Sequence, residues 1–301
     1  MNPLAEPALS GRQPAPSRRQ PALSDRQPAL SRRHAAGADS ARGLLFTVAG
    51  EFVLPTGGTA WTSAFIEVLG RLGVEEKAAR QALARTAADG WIVSERVGRR
   101  VRWRLTAAGE RLLTEGTERI YAFTGAQRDW DGSWLLVLAR VPETDRAARH
   151  LLRTRLGWAG LGSPAPGVWL TTHAERHGEV EQVLRQAGIA DGQVFVAAHR
   201  GGGSLAGLVA QAWDLPMIEE RYEEFLAEFS ASSAAASSPL TRLVELVHAW
   251  RRFPSIDPGL PLPLLPPGWS GERAAELFAD RHAAWSPAAV TQWLALNNPT
   301  P

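Results

Sequence analysis

Two clusters of donor-rich side chains stand out in the N-terminal third of this 301-residue chain. Lys77, Arg80, Gln81 and Arg85 recur at the three- and four-residue spacings that put side chains on one face of a helix. Arg fits O6 and N7 of guanine and Gln fits N6 and N7 of adenine, so such a row suits base edges in a major groove. Arg96, Arg99, Arg100, Arg102 and Arg104 then place five guanidiniums within nine residues. Planar, permanently charged forks in that density suit phosphates or a narrow minor groove. Either cluster alone reads equally well as a solvated basic face. One following the other points to duplex DNA.

Other residue groupings invite different chemistry and hold up less well. His173-Ala-Glu-Arg-His177 spaces two histidines by four, but its Glu stands third where a zincin needs it second. Gly202-Gly-Ser204-Leu-Ala resembles a nucleophile elbow without its last glycine, and reads better as a hinge or phosphate-binding turn. A nuclease on the central domain would want an acid directly after its first strand, and Leu138-Ala-Arg-Val-Pro offers none before Glu143. Lys77 is the chain's single lysine and lies in no glycine-rich phosphate loop. Zero cysteines remove thiolate metal sites, disulfides and cysteine nucleophiles together. No catalytic group, metal or cofactor is therefore expected.

The elements that would carry the basic clusters can be read from periodicity. Gly43 to Phe52 reads as a short buried helix ended by Pro55 and Gly57-Gly58, and Thr62 to Leu72 as a second, stopped by Gly73. Glu75 to Ala88 forms a third, with Ala78, Ala79, Ala82, Leu83 and Thr86 as its buried stripe. The period then switches to two: Trp91–Val97 and Val101–Leu105 flank Gly98-Arg99 as a hairpin, with Val101, Trp103 and Leu105 on one side and the arginines on the other. Thr106 caps a following helix that runs to about Tyr121. Three helices, a hairpin and a linker helix make a winged helix-turn-helix.

Farther on, Ser133–Val141 predicts a buried strand, Glu143–Leu156 a helix, Trp158–Leu161 a short strand, Gly167–Thr172 a strand, Glu175–Ala187 a helix and Gln193–His199 a strand. That order, βαββαβ, is ferredoxin-like. A largely helical stretch follows, interrupted by Ser/Ala residues at 230–238 and by prolines from Pro254 to Pro267. The fold class is α+β, divided into a tail (1–42), a winged helix-turn-helix (43–106), a linker helix (107–125), a ferredoxin-like domain (126–203) and a helical C-terminal domain (204–301). Net charge is +4 over residues 1–42, +2 over 43–125 and −4 over 126–301, so the basic character lies at the N-terminal end. The tail repeats every seven residues from Pro7, Pro14, Pro21 and Pro28, and a proline in each repeat bars a coiled coil at about 3 kcal/mol apiece. It reads as a disordered basic extension that adds weak non-specific DNA affinity or nothing. The absence of a membrane-length apolar run or apolar leader, with no cysteine, leads to an expected soluble, cytoplasmic protein without membrane contact.

The string Arg80-Gln-Ala-Leu-Ala-Arg-Thr-Ala-Ala-Asp-Gly-Trp, then Val97-Gly-Arg-Arg-Val-Arg-Trp-Arg-Leu-Thr-Ala-Ala-Gly, resembles the DNA-binding end of the PaaX family, repressors of bacterial phenylacetate degradation and related pathways. The resemblance continues through Trp130-Asp-Gly-Ser-Trp, Pro166-Gly-Val-Trp, Leu243-Val-Glu-Leu-Val-His-Ala-Trp-Arg-Arg-Phe-Pro, Asp257-Pro-Gly-Leu-Pro and Leu265-Pro-Pro-Gly-Trp-Ser-Gly. It implies a central domain like the CRISPR-associated Cas2 fold, a homodimer, an operator in double-stranded DNA, and release by an aryl- or acyl-CoA thioester such as phenylacetyl-CoA. One departure is Thr86, where a leucine is usual, which leaves a thinner core. For the effector, Trp158, Trp169 and Trp250 are candidate acyl-pocket residues, with Arg153, Arg155, Arg251 and Arg252 as partners for CoA phosphates. Arg251 and Arg252 read better as partners of Asp257 or as caps of a helix end. Two alternatives stay open: a hydrolase or nuclease on the ferredoxin-like domain, using Ser204 or a histidine, and a winged-helix adaptor that binds protein. Ester or RNA hydrolysis tests the first, and salt-dependent retention on DNA the second.

Overall fold

The computed structural model describes residues 40–125, 129–230 and 238–298. The proline repeats, and with them the expectation of a disordered tail, lie outside the described residues. Helix α1 (Ala41–Val48) starts two residues before the expected Gly43, because the Ser40 hydroxyl accepts the Gly43 N–H at 3.2 Å. It widens into a π turn over Ala49–Val53 and buries Leu45, Val48 and Phe52. A three-residue strand, β1 (Thr59–Trp61), follows, and then helices α2 (Thr62–Arg71) and α3 (Glu76–Ala88). Sequence periodicity missed β1, which is too short to show one. Strands β2 (Ile92–Val97) and β3 (Arg100–Leu105) form the hairpin, one residue displaced from expectation at the start of each strand. Gly98 takes the positive φ of +61° that opens its two-residue turn. The sheet order is β1-β3-β2, all antiparallel. Helix α4 (Ala107–Ala122) begins at Thr106, whose hydroxyl accepts the Gly109 N–H at 3.1 Å.

The central unit comprises β4 (Ser133–Leu138), α5 (Arg146–Trp158), β5 (Gly162–Ala165), β6 (Val168–Thr171), α6 (His177–Gln186) and β7 (Gln193–Ala198). Strand order β5-β6-β4-β7, antiparallel throughout, is the ferredoxin-like arrangement. The expected strand at Trp158–Leu161 is instead a helix end. Gly160 turns to φ +78°, and Leu161 N–H closes back on the Leu156 carbonyl at 2.9 Å, so the strand starts only at Gly162. On one face of the sheet Leu135 and Val137 pack with Leu152, Leu156, Val180, Val183 and Leu184.

The other face, through Trp134 and Leu170, joins the C-terminal core. Helix α7 (Leu205–Ala212) packs on β5, and Trp213 lies so close over Gly162 that a Cβ there would meet its ring at 2.5 Å. Helices α8 (Leu215–Ser230), α9 (Pro239–Trp250), α10 (Phe253–Ile256) and α11 (Gly271–Asn297) complete the chain. Their aromatic core stacks Tyr222 on Phe253 at 4.2 Å and Trp250 on Phe278 at 4.9 Å. The proline-rich segment carries α10 and a 3₁₀ turn at Leu262–Leu264. Core residues of α1, α2 and α3 are continuous with those of α8, α9 and α11. No helix among the described residues is long and apolar enough to cross a membrane.

Candidate nucleic-acid interface

Helix α3 is seated by Ala79, Ala82, Leu83 and Thr86, all buried; Ala78, the fifth residue of the expected stripe, is only half-buried. Thr86 satisfies its hydroxyl on the Ala82 carbonyl at 2.8 Å, which lets a polar residue occupy that core position. The opposite face is exposed and carries Lys77, Arg80, Gln81 and Arg85. Glu76, Lys77, Arg80, Gln81 and Ala84 line one shallow open surface. Sequence reading passed over Glu76 as a partner. Its carboxylate holds the Arg80 guanidinium at 2.7 Å, with both side chains about 59% exposed. The i, i+4 spacing was the available signal.

In the hairpin, Leu105 is buried and the Trp103 indole N–H donates to the Thr62 hydroxyl at 2.9 Å, so that side of β3 is docked on α2. Arg99 and Arg100 are exposed at the tip, and Arg96 is exposed with its Nε donating to the Gly98 carbonyl at 3.3 Å. Arg102 is placed differently from the expectation of a free contact. It is half-buried, bonded to Glu95 at 2.7 Å, and lies 5.9 Å from the Trp61 ring centre. Arg102 braces the hairpin against β1. The structure thus brings Lys77, Arg80, Gln81 and Arg85 onto one helix face and Arg96, Arg99 and Arg100 onto the tip of the adjoining hairpin.

The seven residues named for an effector do not gather in one place. Trp250 is wholly buried among Tyr222, Phe225, Phe253 and Phe278. Trp169, on β6 opposite Val137, is partly buried against the central core. Arg251 does not pair with Asp257. It donates to the Gly43 carbonyl at 2.7 Å and the Thr47 hydroxyl at 3.0 Å, tying α9 to α1. Burial, with the neighbouring Arg252 charge, pushes its pKa down to about 10. Asp257 instead accepts the Tyr222 hydroxyl at 2.5 Å and the Gly259 N–H at 2.7 Å, and burial raises its pKa to about 6. Trp158 is half-buried at the end of α5 with Arg119 5.7 Å over its ring. Arg153 is exposed; Arg155 and Arg252 each bury their Nε.

The other groupings also resolve. Ser204 caps α7, its hydroxyl accepting the Gly207 N–H at 3.2 Å. His173 bridges the central and C-terminal parts, its Nε2 lying 3.1 Å from the Pro258 carbonyl and its Nδ1 3.2 Å from Glu175. Burial, then the Arg176 charge, holds its pKa below the usual histidine value. Among the described residues, no group of three or more His, Asp or Glu side chains is placed to hold a metal.

Comparison with known proteins gives three family matches along the chain. Residues 40–109 match the family described as PaaX-like protein, 127–209 the PaaX protein central Cas2-like domain, and 213–295 the PaaX-like protein C-terminal domain. The chain is similar to the transcriptional repressor PaaX of Escherichia coli (strain K12), 29% identical over 274 residues, covering 85% of this chain and 84% of that one. Among solved structures it resembles the uncharacterized protein Rv0674 from Mycobacterium tuberculosis, with a TM-score of 0.56 and 23% identity. That likeness covers 84% of this chain and 98% of the other, and it speaks for the fold.

Proposed function

The chain belongs to the PaaX family, and from that premise we propose that it is a sequence-specific, DNA-binding transcriptional repressor. Its reading helix is α3 and its wing is the β2–β3 hairpin. The observation that carries this reading is the exposed row Lys77, Arg80, Gln81 and Arg85 on the second helix of a helix-turn-helix, flanked by the basic tip Arg99-Arg100. Helix α3 offers forks and an amide at base-pair height, while the tip offers charge to the sugar-phosphate backbone. The assay is footprinting on the promoter beside its own reading frame. A protected site of defined sequence supports the reading. Binding that shows no preference, or retention only on protein, favours the adaptor.

The repressor acts as a homodimer. Strand β7 is an edge of the central sheet and exposes Phe195 at 46% and Val196 at 64%, an apolar edge of the kind folded proteins cover. A second copy is the proposed occupant, and Val196→Lys should shift sedimentation from dimer to monomer. A paired reading unit also suits an operator with two half-sites. The effector is an aryl- or acyl-CoA thioester, of which phenylacetyl-CoA is the first to try. Support for it is the family resemblance, with the half-buried Trp158 and the arginines near the α5–α10 contact as the place to look. Calorimetry and operator release with the thioester, set against free phenylacetate, test it. No binding of any CoA ester would remove the effector and leave the DNA reading standing.

A further inference from the structure

The DNA-reading unit is finished by residues from the far end of the chain. Trp293, in the second-last turn of α11, is fully buried between Phe52 at 5.6 Å, near-parallel, and Phe65 at 6.1 Å, edge-on. One turn later Asn297 reaches β1. Its side-chain oxygen accepts the Trp61 N–H at 2.9 Å, and its amide nitrogen donates to the Thr59 carbonyl at 3.0 Å. Strand β1 is the edge of the three-stranded sheet and pairs with β3 on its other side. The carbonyl of one residue and the N–H two residues on are the pair that a residue of a parallel neighbour would engage. One asparagine side chain therefore stands in for a fourth strand. Trp61 is also the N-cap residue of α2, with no side-chain cap of its own, so the held peptide is the one from which the helix-turn-helix departs. Its ring underlies Arg102, the brace of the wing.

We infer that Asn297, seated by Trp293, is a positioning residue for DNA binding: it fixes β1, and through β1 the angle between α3 and the hairpin. The inference rests on the proposed DNA reading. Site-specific binding needs the helix and the wing in one register on the duplex, whereas non-specific binding needs only their charge. Removing the amide should therefore act on the first and spare the second.

The experiment uses the full chain with the footprinted duplex and a scrambled duplex of equal length. Asn297→Ala should lose roughly tenfold on the specific site, within the ceiling that two lost hydrogen bonds set, with random-duplex affinity and salt slope unchanged. Asn297→Asp keeps an acceptor for Trp61 but sets a carboxylate against the Thr59 carbonyl, so it should lose at least as much. Asn297→Gln, which retains both functions on a longer stem, should recover part of the loss. Equal losses on both duplexes, or wild-type specificity in the Ala and Asp variants, overturn the inference. Hydrogen exchange gives a readout independent of DNA: Trp61 N–H should be protected in the wild type and released in Asn297→Ala, with faster exchange spreading into β3. Unchanged exchange at Trp61 refutes the positioning role even for a variant too unstable for binding work. A wild type indifferent to DNA sequence would refute the repressor reading, and exchange would still judge the contact.

Discussion

Truncating Arg80 to alanine separates base reading from charge. In the free protein Arg80 is bonded to Glu76 at 2.7 Å, and both side chains are about 59% exposed. An exposed i, i+4 pair contributes only a few tenths of a kcal/mol, so Arg80→Ala should leave the melting temperature nearly unchanged. On the preferred site a bidentate arginine–guanine contact gives about 1–3 kcal/mol of discrimination, a loss of roughly 5- to 150-fold. On scrambled duplex the loss is confined to one non-specific charge contact, so the specificity ratio falls. Arg99 and Arg100 at the hairpin tip provide the contrast. Replacing both should weaken all sequences nearly alike and reduce the slope of log affinity against log salt by about two. Fluorescence anisotropy with both duplexes across a salt series measures both effects. Equal losses on specific and scrambled DNA for Arg80→Ala would mean that α3 does not read bases. An unaltered salt slope for the double variant would mean that the tip does not touch phosphates.

Deleting residues 1–39, whose repeats place a proline in every seven, should leave the melting temperature and site-specific affinity unchanged; a cooperative loss of folding would refute that. Gly109→Ala should cost several kcal/mol in urea unfolding, because a Cβ there would stand 2.1 Å from the Trp91 carbonyl oxygen. Asp257 has its folded-state pKa raised to about 6, so its contribution is fully present below the ordinary carboxylate pKa and is lost as pH rises through the folded value. Against Asp257→Asn, the wild type should therefore lose on the order of 3 kcal/mol between about pH 4 and pH 7, and parallel curves for the two proteins would refute the assignment. The isolated fragment 40–125 lacks Trp293 as well as the cover of α9 and α11 over Val48, Phe52 and Phe65. It should melt without cooperativity in circular dichroism, and a sharp, native-like transition would show that the reading unit is autonomous.

The contrast between Arg80 and Arg251 shows what the sequence made legible. Arg80 sits on a helix whose face is dictated by Ala79, Ala82, Leu83 and Thr86, so periodicity alone predicts its exposure. The hairpin was readable for the same local reasons: alternation in β3, and a glycine at the position that needs positive φ. The ferredoxin-like order followed from the succession of apolar runs, except at Trp158–Leu161, where an apolar stretch belongs to a helix cap and only its packing tells the difference. For Arg251 the sequence offers only local partners, Asp257 or the end of its own helix, or an anion ligand. Its partners, Gly43 and Thr47, lie more than 200 residues away. The same holds for Asn297 and β1. Periodicity reports that a face is buried and is silent on which distant element buries it.

That silence matters most where the proposed effector would act. A ligand weakens DNA binding only by favouring an arrangement in which α3 and the wing no longer fit the operator together. In this fold the reading unit shares one core with α9 and α11, and specific polar ties join it to them. Thr47 lies 2.9 Å from His248 and takes the Arg251 bond, His282 lies 2.8 Å from Glu51, and Asn297 holds β1. Arg119 on the linker helix donates to the Pro254 carbonyl at 2.7 Å and also to that of Trp158, so one side chain ties the linker helix to both the central domain and the C-terminal helices. A thioester seated beside Trp158 would press on α5 and on α10, which follows directly on Arg251 and Arg252 in the chain. Its effect on DNA would then travel through the α9–α1 contact, and Arg251→Met would be the substitution that uncouples ligand from operator while leaving each to bind.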